Sequence, residues 1–301
     1  MEMDLQTTIA DITAKVKKAY FNVLTTQDEL KFAKETLTIA KSLMSISSER
    51  FEKGDIARID VLKAEIELSN SKMRVQESER ENLNSAKMLQ TVMGVPDIVL
   101  SNLLPVSTAD IPLLKLDKLN DLLLDNHPAL KARKKVVDLS LIKITEAKRM
   151  AIPDINATIG YKRLSAADIN TVQAGIEIPL PIFNRNQGKI IEARALSHKA
   201  IDDVEIVRNE LLLQLSNSFS LYISTREQVR FFVNTIIPKA EESLKIERQG
   251  YEHGEFDYLE VLDAQRTLAN TRISYLKISN ELFSSITEIE KLVGVKISDI
   301  K

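Results

Sequence analysis

The chain has 301 residues, 44% hydrophobic and 28% charged, with 5% aromatic, no Trp and a formal net charge of −2. That supports a sizeable core, but not the broad basic footprint of a nucleic-acid binder. Without Cys there are no disulfides or thiolate sites, and no stretch approaches the about 18 apolar residues of a transmembrane helix.

No proline precedes Pro96, and Gly54 is the one glycine before Gly94. Leu5, Ile9, Ile12, Val16, Ala19, Val23, Leu30, Ala33, Leu37, Ala40 and Met44 recur at steps of mostly three and four, a heptad-like stripe that predicts a helix over 5–49. A second helix is expected over 59–93, stopped by Gly94 and Pro96. Residues 95–127 read as a connector with a short helix near 116–124. Pro128 suits the first turn of a helix over 128–150, where its missing N–H costs nothing, and Pro153 closes that element.

The period then changes to two. Ile155, Ala157, Ile159 and Tyr161 alternate with Asn156, Thr158, Gly160 and Lys162. Val172, Ala174, Ile176 and Ile178 alternate with Thr171, Gln173, Gly175 and Glu177. Such alternation predicts two strands, and the polar "LSAADIN" between them a hairpin loop. Pro179 and Pro181 lack N–H donors and suit the unpaired end of a strand. Asn184, Asn186 and Gly188 are expected to turn the chain into the next helix. That helix reads to about residue 249 on Ile201, Val204, Leu211, Leu215, Tyr222, Val229, Val233, Ile236, Ala240 and Leu244, with Pro238 as an interruption. A last helix is expected over 257–293, ending at Gly294.

The chain repeats itself. "FEKGDIARIDVLKAE" begins at Phe51 and "YEHGEFDYLEVLDAQ" at Tyr251, an offset of 200; "VMGV" at 92–95 answers "LVGV" at 292–295 by the same offset. "AYFNVL" at 19–24 answers "SFSLYI" at 218–223, offset by 199. Ordered matches of this kind indicate an internal duplication. Each unit is a long helix, a sharp glycine turn and a return helix. Only the second is preceded by a hairpin, so by symmetry a first hairpin is expected upstream of Met1. The N-terminal segment lacks the basic and apolar regions of a signal peptide, and that too is expected upstream.

These motifs, with "PLPIFNRNQG" before the long helix and "HPAL" at 127–130, resemble the outer membrane efflux protein family, the TolC-like channel-tunnels; the "PLPIFNRNQG" passage is especially similar to its heavy-metal efflux branch. The resemblance covers essentially the whole chain. It implies a mainly α fold with a β-hairpin: long antiparallel helical hairpins of an α-barrel tunnel plus outer-membrane β-barrel strands. The expected domains are a first-repeat helical hairpin (1–94), a connector (95–127), a helix before the strands (128–153), the β-hairpin of the barrel (154–181) and a second-repeat helical hairpin (182–301). It further implies a homotrimer in the outer membrane and periplasm, in contact with membrane lipid, a periplasmic adaptor and, through it, an inner membrane pump. The channel is passive, and the metal branch points to metal cations.

Residue by residue, the resemblance places Gly54, Asp55, Gly254 and Glu255 at periplasmic tip turns that dock the adaptor. It places the acidic Asp60, Glu260 and Asp263 at the aperture, where three-fold symmetry makes rings of carboxylates that favour cations. Lys63 stands where repeat two has Asp263, and could pair with a carboxylate or lie on the surface. Pro179, Pro181, Asn184, Asn186 and Gly188 would mark the junction of barrel and tunnel. Nothing is catalytic, and no cofactor or dedicated metal site is expected: His127, His198 and His253 are far apart, and no Glu-x-x-His, phosphate loop or nucleophile elbow is present. The competing readings are a soluble helical coiled-coil scaffold, favoured by the N-terminal segment, and a fragment that conducts nothing, because few strands leave open sheet edges.

Overall fold

The computed structural model describes residues 2–96, 103–104, 111–164 and 169–299. Residues 97–102 and 105–110 of the predicted connector and the tip of the predicted hairpin loop lie outside these residues. In chain order the elements are α1 (Glu2–Glu52), α2 (Arg58–Met93), α3 (Leu116–Asn126), α4 (Pro128–Arg149), β1 (Asn156–Leu164), β2 (Ile169–Glu177), α5 (Gln187–Phe231), a π-turn (Phe232–Ile236), α6 (Ile237–His253) and α7 (Tyr258–Val293), then a short 3-10 turn (Ile297–Asp299). The expected helices and strands are all present. The predicted 188–249 helix is divided by the π-turn just before Pro238. There the N–H of Ile237 bonds to the Phe232 carbonyl five residues back, easing the conflict between the proline ring and the preceding turn.

The chain forms two compact units, one of Met1–Asp4 with Pro128–Glu210, the other of Leu5–His127 with Leu211–Lys301. In the second, helices pair antiparallel. Thr26 Oγ1 and Ser85 Oγ lie 2.6 Å apart between α1 and α2. Between α1 and α7, Phe21 stacks on Phe283 with centroids 4.4 Å apart. Lys17 and Lys18 pair with Glu290 at 2.5 Å and Glu288 at 2.7 Å. Nearer the turns, Arg272 bridges Glu35 at 2.6 Å and Glu241 at 2.8 Å. Arg226 donates to the carbonyl of Ile111 at 3.1 Å and Tyr222 to that of Pro112, tying α5 to the segment before α3. The core follows the predicted stripes through Val23, Ala40, Leu215, Tyr222, Val229, Ala240 and Leu244. Leu5, Ile9 and Ile12, at the start of the first stripe, are exposed.

In the other unit α4 and the first half of α5 run antiparallel, with Ser140 Oγ donating to Ser197 Oγ at 3.0 Å. The hairpin joins them. Its register puts Ala157 opposite Ile176, Ile159 opposite Ala174 and Tyr161 opposite Val172, while Asn156 faces Glu177 and Lys162 faces Thr171. The alternation read from the sequence therefore yields one apolar and one polar face, as period two requires.

One expectation is corrected. The predicted outer-membrane β-barrel strands, and with them a transmembrane β-strand, are not found: among the described residues the only sheet is two-stranded, β1 beside β2, neither curled nor closed. Alternation fixes which side chains share a face. It does not supply the further strands and stagger that closure requires. Among the described residues, no helix is long and apolar enough to cross a membrane.

His127, the C-cap of α3, is buried. Burial first, then Lys291, lowers its pKa from the ordinary 6.5, against an opposing pull from Asp11. The fold therefore holds the neutral ring. The unfolded chain takes up the proton first, so this contribution is complete above about pH 6.5 and is lost as pH falls below it. Thermal unfolding between pH 7.5 and 5.5 should show a smaller drop in Tm for His127→Gln than for the parent; equal drops would exclude the histidine as a cause.

Candidate functional site

The two glycine turns are built alike. At the end of α1, Gly54 has φ 82°, its N–H bonds to the Phe51 carbonyl at 2.9 Å, and the Asp55 N–H bonds to that of Arg50 at 2.9 Å. At the end of α6, Gly254 has φ 81°, bonds to Tyr251 at 3.2 Å, and Glu255 bonds to Gly250 at 2.8 Å. Both are Schellman closures, which need a left-handed residue where glycine has no Cβ penalty.

The structure brings the turns together. Arg50 Nη1 donates to the Tyr251 carbonyl at 2.8 Å, and the guanidinium lies 4.8 Å from the Tyr251 ring centre. The Tyr251 hydroxyl and Ser47 Oγ are 2.8 Å apart. Beneath them Tyr251 and Tyr258 pack edge to face, within a core shared by Leu43 and Ala64 of repeat one and Val261, Leu262 and Leu268 of repeat two. Buried Glu67 accepts from Arg74 at 3.1 Å and Arg266 at 3.2 Å. Burial, with Glu67 adding to it, pushes the Tyr258 phenol far above its usual range. Alongside, Glu49, Arg50, Lys53, Asp55, Glu252 and His253 line a polar groove between the turns.

Equivalent positions are not equivalently buried. Tyr251 and Leu262 are 1% and 6% exposed, but their counterparts Phe51 and Leu62 are 39% and 40% exposed. The helix starts also differ. Asp257 and Glu260 form a reciprocal capping box on α7, with the Asp257 N–H donating to Glu260 Oε2 at 2.9 Å. Ala57 gives α2 no side-chain cap, and Asp60 instead meets Lys63 Nζ at 3.1 Å. Glu260 and Asp263 are exposed and line a hollow with Lys239, Glu242 and Glu247. Among the described residues, no group of three or more His, Asp or Glu is placed to hold a metal ion.

At the exit of the hairpin, Pro179 and Pro181 follow β2 in irregular backbone. Asn184 Oδ1 accepts from the Asn186 N–H at 3.0 Å. Asn186 has φ 60° and donates through Nδ2 to the Ala147 carbonyl of α4 at 2.9 Å. These two asparagines make the turn; Gly188 already lies inside α5. The sequence reading missed the Arg50–Tyr251 clasp, for which no local pattern exists. It also missed the capping box, although D-x-x-E at 257–260 is a readable signal.

The model of the family described as Outer membrane efflux protein matches residues 1–95 and 119–295. The cobalt-zinc-cadmium resistance protein CzcC of Cupriavidus metallidurans is 31% identical over 294 residues, covering 94% of this chain and 68% of that protein. The cation efflux system protein CusC of Escherichia coli K12 is 23% identical, covering 89% of this chain and 60% of its own length. Among solved structures, the outer-membrane channel OprN superposes with a TM-score of 0.80 at 20% identity over 98% of this chain and 68% of its own. A CusC structure gives 0.80 at 19% identity, over 98% of this chain and 70% of its own. These relatives are transport proteins rather than enzymes.

Gly250, in the last turns of α6, has no room for a Cβ: one placed there would lie 2.1 Å from Phe256 Cδ2. Gly250→Ala should therefore cost about 1–3 kcal/mol despite alanine's better helix propensity. In a Phe256→Ala background the same change should stabilise by up to about 1 kcal/mol. Denaturant titration of the four variants tests this, and a penalty unchanged in that background would exclude the ring as its origin.

Proposed function

The chain belongs to the outer membrane efflux protein family, and we propose that it forms the helical tunnel of an efflux channel whose two glycine turns make the end that meets a periplasmic adaptor. Homology to outer-membrane efflux channels supports the general channel role, and family membership an outer-membrane and periplasmic setting. The observation that carries the finer reading is the joining of the two turns, with matching Schellman closures, through Arg50 and Tyr251. That arrangement presents both tips, with Gly54, Asp55, Gly254 and Glu255, as one surface.

Assembly as a homotrimer is supported by the unequal burial of the repeats. Phe51 and Leu62 are left exposed where repeat two buries Tyr251 and Leu262 against repeat one. A second copy can offer repeat one a matching partner. The adaptor would link the channel to an inner membrane pump, which supplies the energy. In the trimer, Glu260, Asp263 and Asp60 would each become three-fold acidic groups at the aperture, and the likeness to CzcC and CusC favours metal cations as cargo. No coordination site is needed for that: passage calls for attraction weak enough to release.

Two measurements test these assignments. Glu260→Gln keeps the capping box, because glutamine also serves at that position, so with Asp263→Asn it removes charge without removing the helix start. In reconstituted channels, the double variant should lose cation preference; unchanged selectivity would remove both residues from the aperture. Deletion of the gene should sensitise the host to divalent metal ions. If only dyes and antibiotics become more toxic, the metal assignment falls while the channel reading stands.

A further inference from the structure

The two turns share a backbone but not a charge. Over 255–263, just past the repeat-two glycine, stand Glu255, Asp257, Glu260 and Asp263 and no base. Over the equivalent 55–63 of repeat one, Asp55 and Asp60 are matched by Arg58 and Lys63.

The side chains keep that difference. In repeat two, Asp257 and Glu260 close the capping box on backbone N–H groups, which leaves their charges without a counter-cation. Asp263 is exposed, and Lys239 lines the same hollow as Glu260 and Asp263 without pairing with either. In repeat one the N-cap is Ala57, which has no side chain to accept an N–H, and Asp60 is one methylene shorter than Glu260. Asp60 leaves the box open and meets Lys63 Nζ at 3.1 Å, the two side chains being 26% and 31% exposed. An i,i+3 pair of this kind adds little to stability. Its effect is on the field, because opposite charges this close present only a dipole to anything farther off. The positive end of the helix dipole acts on both turns alike, so the contrast belongs to the side chains.

We propose that Lys63 determines cation specificity at this end of the protein. By cancelling Asp60 it keeps the repeat-one turn electrostatically silent, and it confines the attraction for cations to the repeat-two turn. The effect on conduction rests on the aperture reading; the field itself does not.

The chain has no cysteine, so a single introduced thiol can report on each turn. Ile59 and Leu259 are equivalent positions, 54% and 55% exposed, one helical turn before residues 63 and 263. Ile59→Cys and Leu259→Cys are each reacted at low ionic strength with a cationic and an anionic methanethiosulfonate. The ratio of the two rates at one thiol cancels its access and acidity and leaves the local field. That ratio should favour the cation several-fold more at 259 than at 59. Lys63→Gln should raise it at 59 by about threefold, and Lys63→Asp should carry it towards the value at 259. Asp263→Lys should lower it at 259. Asp60→Asn combined with Lys63→Gln should restore the parent ratio at 59, and Lys63→Gln alone should leave Tm essentially unchanged, which separates field from fold. Equal ratios at the two positions, or a ratio at 59 indifferent to Lys63→Gln, would overturn the proposal.

In reconstituted channels Lys63→Gln should raise cation preference, opposite in sign to Glu260→Gln with Asp263→Asn. If that double variant alters selectivity and Lys63→Gln does not, the assignment of Lys63 falls and the aperture reading stands. If neither alters it, the aperture reading falls, and the thiol ratios alone decide whether Lys63 silences its turn.

Discussion

A long helix with a narrow apolar stripe cannot bury that stripe by itself, and everything else in this chain follows from how α1 solves the problem. It runs 51 residues, and most helical stability in proteins comes from packing of an apolar face rather than from propensity. One partner, α2, comes from its own repeat, and the other, α7, from the second. Exposed ion pairs such as Lys34–Glu79 at 3.5 Å contribute little. The stack of Phe21 on Phe283 and the Arg272 bridge between Glu35 and Glu241 do more, because they fix how far α7 slides along α1. Once that register is set, the two turns must meet at the same level, and Arg50 reaches Tyr251.

The helices were legible in the sequence because each has a stripe of period near 3.6 and a glycine or proline at its end. Gly94 and Gly294 stop α2 and α7 in left-handed conformation, as their position after the last periodic residue suggests. The hairpin was legible down to which residues share a face. Whether its sheet closes was not, since that depends on strands beyond the pair. The turn glycines of the candidate site could be read from the repeat itself. The clasp between them could not: Arg50 and Tyr251 are partners only after two helices have folded back, and the repeat even conceals the fact. At the equivalent positions Gly250 makes room for Phe256, whereas Arg50 spans to the other turn.

The duplicated turns show how one motif divides its labour. In repeat two, Glu260 helps to begin α7, so its charge sits on a fixed side chain. In repeat one, Ala57 leaves α2 uncapped, and the Asp60 charge is offset by Lys63 one turn on. The same backbone therefore carries a displayed acid on one arm and a neutralised one on the other. On the repeat-two side Glu242, Glu247, Glu260 and Asp263 line one hollow together with Lys239.

The π-turn at Phe232–Ile236 lies where the bookkeeping of the repeat changes. Before it, buried Val23 and Thr26 answer buried Tyr222 and Thr225, 199 residues apart; after it, buried Ala40 answers buried Ala240, 200 apart. A π-turn is what an α-helix becomes when one residue is inserted and the flanking faces refuse to rotate. An extra residue would otherwise swing everything downstream by about 100° and turn the apolar stripe toward water. The bulge thus absorbs locally the one-residue difference between the two repeats, so that both arms still reach the same end in step.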